Sequence, residues 1–168
     1  MINVTELHER PFYISDDIKD IYLDENFLET LYKEYGEWLF YPDDFDINNK
    51  FLEFVELVID SGLCNIVEKV NDNNSAPYSF YIKIDNVDAH KQFLSLAVKN
   101  NLIPRNKDGR LRNICFKLLS ARLIGECSRC NYGHVVEGSL ADKLGITIPL
   151  VHKFNLSDFI DRYTGSPL

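Results

Sequence analysis

A chain of 168 residues with 45% hydrophobic and 26% charged residues has the length of one domain and can bury its own core, so neither metal nor disulfide is needed to fold it. Its formal net charge of −8 argues against general affinity for nucleic acid, because phosphate contacts need clustered Lys and Arg. The opening residues carry no basic and apolar signal pattern, and no apolar run approaches the ~18 residues that span a bilayer, so a cytoplasmic, non-membrane protein is expected.

The charge is unevenly placed. Residues 1–60 hold 16 acidic against 4 basic side chains, a net of −12, whereas residues 99–130 hold 2 against 8, a net of +6. No repeat, low-complexity tract or Pro/Gly/Ser linker divides the chain, so residues 1–168 read as one globular domain.

In chain order, Asp24–Leu39 carries Phe27, Leu28, Leu31, Tyr32, Tyr35, Trp38 and Leu39 at three- and four-residue steps, which predicts an amphipathic helix weakened at Gly36. Pro42 ends it, because proline cannot continue a helix and biases Tyr41 toward extended geometry. A second helix is expected from Lys50 to Asp60 on the stripe Phe51, Phe54, Val55 and Val58, stopped by Gly62. Leu63–Val70 and Tyr78–Ile84 read as a hairpin across a turn-rich Asn/Asp segment. Val87–Asn100 is expected to be a third helix, capped by Asn86 or Asp85. Leu111–Glu126 fits a strand or a helix, with alternation favouring the strand, and Ser139–Leu144 and Leu156–Tyr163 suggest short helices. This order predicts an α+β fold, with helices packed on a small, mostly antiparallel sheet.

The motifs for chemistry are incomplete. Cys127 and Cys130, with His134 close by and Cys115 or His152 as further donors, have the spacing of a zinc turn or a thiol-redox pair. A second close ligand pair is missing, so ordinary reduced thiols are the expected state and zinc is the alternative. Asp44-Phe45-Asp46-Ile47-Asn48 opens like a calcium loop, but Asn49 replaces the turn glycine and Val55 occupies the position of the bidentate glutamate. Gly138-Ser139 lacks the flanking pattern of a nucleophile elbow, His90 reads as a surface or half-buried residue, and no glycine-rich phosphate loop occurs. A non-enzymatic protein without a cofactor is the expectation.

The acidic third then carries the functional reading. Glu34, Glu37, Trp38, Tyr41, Asp43, Asp44, Phe45 and Asp46 interleave carboxylates with aromatic rings, a composition suited to a basic protein partner. The expected role is an inhibitory binding protein, an immunity protein or antitoxin that neutralises a basic, nuclease-like toxin. A phage-type nucleic-acid mimic is a close variant. The alternative class is a nucleic-acid-binding or regulatory module using Lys99, Arg105, Lys107, Arg110, Arg112, Lys117, Arg122 and Arg129. A docking face is expected only if the acidic and basic blocks stay apart, because blocks that pair would neutralise each other.

Overall fold

The computed structural model describes residues 2–7, 10–15, 30, 31, 33–41, 45–69, 77–119 and 153–168. Seven strands form one sheet: β1 (Ile2–Leu7), β2 (Arg10–Ser15), β3 (Tyr35–Phe40), β4 (Ile66–Lys69), β5 (Tyr78–Lys83), β6 (Cys115–Leu118) and β7 (Lys153–Asn155). Their spatial order is β1-β2-β4-β5-β3-β6-β7, and every neighbouring pair is antiparallel. Helices α1 (Phe45–Asp60) and α2 (Val87–Lys99) complete an α+β fold. Among the described residues, no helix is long and apolar enough to cross a membrane.

The stripes expected on the two helices do bury. Phe51, Phe54, Val55 and Val58 of α1 and Phe93, Leu94 and Ala97 of α2 are within the core, and Val98, also expected on the α2 stripe, is partly buried against it. Both helices lie on the same face of the sheet: Phe54 and Phe93 each pack on Phe80 of β5, with ring centroids 5.6 Å and 5.1 Å away. Phe40 of β3 meets Phe51 and Phe93 edge-on at 5.8 Å and 5.7 Å, geometry that aromatic quadrupoles favour. Asn86 caps α2 by accepting a hydrogen bond from the Ala89 amide at 3.1 Å, which satisfies one of the free donors of the first turn. Gly62, at φ 74°, follows the end of α1 in the left-handed conformation that glycine adopts at least cost.

The helix expected over Asp24–Leu39 is corrected from Tyr35 onward, and residues 24–29 and 32 of it lie outside the described residues. Residues 30, 31, 33 and 34 are helical, but Tyr35–Phe40 is strand β3, bonded on one side to β5 and on the other to β6. A six-residue apolar and aromatic run satisfies either period, and two ladders of backbone hydrogen bonds decide for the strand. Gly36 is a packing requirement here rather than a helix flaw. A Cβ at this position would lie 2.5 Å from Cζ of Phe116 and 2.6 Å from the carbonyl oxygen of Lys117.

Smaller corrections follow the same logic. Helix α1 begins at Phe45, five residues before its expected start, so Asp46 to Asn48 are helical and do not form a calcium-binding loop. Strand β6 supports the strand reading of the segment after Leu111, whereas Leu156–Tyr163 keeps only one 3-10 turn, Leu156–Asp158. The hairpin β1–β2 had no counterpart in the sequence reading. The element expected at Ser139–Leu144 lies outside the described residues.

Candidate functional site

Strand β3 presents opposite sides of itself to two environments. Trp38 and Phe40 point to the helices and are 0% and 2% exposed. Glu37 belongs to the other face, where Tyr35, Glu68, Ser79 and Tyr81 are also buried. On that face the Tyr81 hydroxyl donates to Oε2 of Glu68, which gives one buried carboxylate a partner.

Two of the residues expected on an acidic surface, Glu37 and Trp38, are buried. Trp38 is a core residue, and Glu37 is 4% exposed between Tyr81 of β5 and Lys117 of β6 in the strand register. Alternation puts the two on opposite faces of β3, and at this strand both faces are buried. Glu34 remains at the surface, where its carboxylate lies 3.4 Å from Nζ of Lys83. That contact is the leading reason the Lys83 ammonium titrates above its ordinary range. Tyr41 is 64% exposed, immediately after β3. Asp43 and Asp44 lie outside the described residues, and Phe45 and Asp46 open α1.

Among the described residues the acidic and basic blocks meet in one strand ladder. The β3–β6 ladder places Glu37 directly opposite Lys117 and Trp38 opposite Phe116. The Arg105 guanidinium donates at 2.7 Å to the carbonyls of both Gly109 and Tyr163, and Nε of Arg110 bonds Asp108 at 2.6 Å. Lys99, Lys107 and Arg112 are exposed, and Arg122 and Arg129 lie outside the described residues.

Where the blocks meet, a cleft of about 260 Å³ opens at the end of β3. Leu39, Phe40, Leu102, Pro104 and Ile114 supply its apolar lining, and Tyr41, Arg112, Asn113 and Lys117 its polar lining. Its walls are held by backbone bonds. The Arg112 amide donates to the Pro104 carbonyl at 2.7 Å, and the Leu156 amide to that of Ile114 at 3.2 Å. Asn113 is fixed from outside by its bond to Asn155 at 3.2 Å. Arg112 and Lys117 belong to the basic block of the sequence and Tyr41 to the acidic one, but nothing in the pattern signals that they converge.

His90 is not the surface or half-buried residue expected. It is 0% exposed, with its ring 4.6 Å from Phe116 and 4.8 Å from Phe159. Both ring nitrogens are occupied in the core, which makes it a structural residue rather than a base. Cys64 is likewise buried, its Sγ 3.1 Å and 3.2 Å from the carbonyl oxygens of Ile66 and Tyr81, and desolvation pushes the thiol up to about 12. Cys127, Cys130, His134 and His152 lie outside the described residues, while Cys115 is in β6. Among the described residues no group of three metal-ligating side chains occurs. Comparison with protein-family models, with curated proteins and with solved structures returns no match.

Proposed function

We propose that this chain is a binding protein of the inhibitor type, which docks a basic protein partner, such as a nuclease-like toxin domain, through a face centred on Tyr41. The observation that carries this reading is the 64% exposure of Tyr41 directly beyond a strand whose own residues are buried apart from the half-buried Leu39. An aromatic anchor on a rigid element loses little entropy on docking and supplies contact area, and surrounding charge steers the encounter. Asp43, Asp44 and Asp46 follow Tyr41 within five residues of sequence and are the acids this reading assigns to steering the partner.

The condition that the two blocks stay apart fails at Glu37, which pairs with Lys117 in the strand register, so the reading is kept only for the acidic run after Tyr41. Glu37 and Trp38 are spent inside the fold, so the face rests on Tyr41 and the acidic run after it. The experiment measures association with purified basic nuclease toxin domains over a salt series. The triple variant Asp43→Lys, Asp44→Lys, Asp46→Lys is expected to associate more slowly and with less salt dependence. Unchanged kinetics would sink the reading.

A second reading, a nucleic-acid-binding module, is favoured by the exposed loop from Arg105 to Arg112. It carries Arg105, Lys107, Arg110 and Arg112 within eight residues, closed by the pairing of Arg105 with Leu111. Anisotropy titration with labelled single- and double-stranded oligonucleotides at low salt decides it: no binding rules the module out.

A further inference from the structure

We infer that the cleft at the end of β3 is a binding site for a small aromatic carboxylate. This goes beyond the docking reading and does not depend on it. The two charged groups of its described lining, Arg112 and Lys117, are both cationic, so an anion is the ligand charge that the lining complements. The rest of the lining is mostly apolar, with Phe40 and Leu102 forming a floor that is 2% and 5% exposed. An occupant therefore needs an apolar body as well as a charge. Ligand sites combine these features: an apolar cavity with a few polar groups that fix orientation.

Size and shape narrow the class. A cleft of about 260 Å³ lies just under the usual range for drug-sized ligands and suits a one- or two-ring acid. Tyr41 offers an aromatic face at the rim, and an arginine matches a carboxylate with two parallel N–H donors. The carboxylate accepts from Arg112 and Lys117, and the ring system lies over Phe40, Leu102 and Ile114. The wall carrying Arg112 and Ile114 is pinned by backbone hydrogen bonds before any ligand arrives, which limits the ordering cost of binding.

The test is a heteronuclear NMR titration of the full chain with three probes that share one ring system: naphthoate, naphthylmethanol and naphthylmethylamine. Naphthoate is expected to bind with a dissociation constant on the order of 1 mM, as ligand efficiency gives for a two-ring compound. It should shift the amides of Tyr41, Asn113 and Ile114, with the alcohol weaker and the amine weakest. Arg112→Gln should weaken naphthoate about tenfold and leave the alcohol unchanged, since one charge-assisted contact is lost. Lys117→Gln is the second variant. Because Arg112 is exposed, its variant stays informative even where the strand residue Lys117 is needed for folding. Three outcomes overturn the inference: equal affinity for the three probes, tightest binding of the amine, or shifts confined to residues outside the cleft. The second would mean that the acidic run after Tyr41 sets the local field.

Discussion

The indole N–H of Trp38 donates a hydrogen bond to Nδ1 of His90 across 3.1 Å of core, joining strand β3 to helix α2. Nδ1 is thereby an acceptor, so the ring proton of neutral His90 sits on Nε2, which faces the carbonyl oxygen of Ile84 at 3.3 Å. Burial lowers the His90 pKa, outweighing the opposing pull of the Ile84 and Lys83 carbonyls and of Asp85.

Burial of this histidine makes the fold acid-sensitive. In the unfolded chain His90 takes up a proton near its ordinary pKa of ~6.5, whereas the folded ring takes it up only at lower pH. Stability is therefore full above ~6.5 and falls as pH drops below it, by at most about 1.4 kcal/mol per pH unit from this group. His90→Gln keeps an acceptor for Trp38 and does not titrate, so it should lose less stability between neutral pH and pH ~5.5. Urea melts of both proteins at the two pH values check this, and an equal loss would contradict the role of His90.

Trp38 and Tyr41, three residues apart, should respond oppositely to truncation. Trp38→Ala removes a fully buried indole and its bond to His90, and should cost about 3–5 kcal/mol. Tyr41→Ala touches an exposed ring and should change stability by less than about 0.5 kcal/mol while weakening partner binding. Thermal melts separate the two variants.

Gly36→Ala tests the β3–β6 contact. The added methyl group meets both the Phe116 ring and the Lys117 carbonyl oxygen, and a backbone atom in a ladder cannot swing aside. Overpacking of this kind costs about 1–3 kcal/mol, although alanine would have been the better residue in the helix that the sequence suggested there. A denaturation midpoint raised by the substitution would argue against β3.

Cys64 should resist alkylation while the chain is folded. Its thiol is buried and held at about 12, so almost no thiolate exists at neutral pH. Peptide mapping after iodoacetamide treatment should show Cys64 unmodified in buffer and modified in urea. Rapid labelling in buffer would mean that this part of the core opens.

The α+β class, the stripes of α1 and α2, the Asn86 cap and the β4–β5 hairpin were legible because each rests on local periodicity or on one capping side chain. Tyr35–Phe40 was not, since its residues fit two periods and only pairing with β5 and β6 chooses between them. The candidate site inherits that difference. Tyr41 was named from its acidic neighbours, but Arg112 and Lys117 join it only because β6 lies beside β3.

By itself, then, the amino-acid sequence determined the acidic and basic blocks, the helix stripes and the aromatic supply, which are properties of neighbours along the chain. Tertiary structure alone decided which of the described aromatic residues are core and which, such as Tyr41 and Tyr163, are exposed, and that the two blocks meet at the β3–β6 ladder. Those outcomes depend on strand pairing between residues about 80 positions apart, such as Glu37 and Lys117. Local physical chemistry cannot supply them, because a strand's two faces are assigned only when its partners are in place.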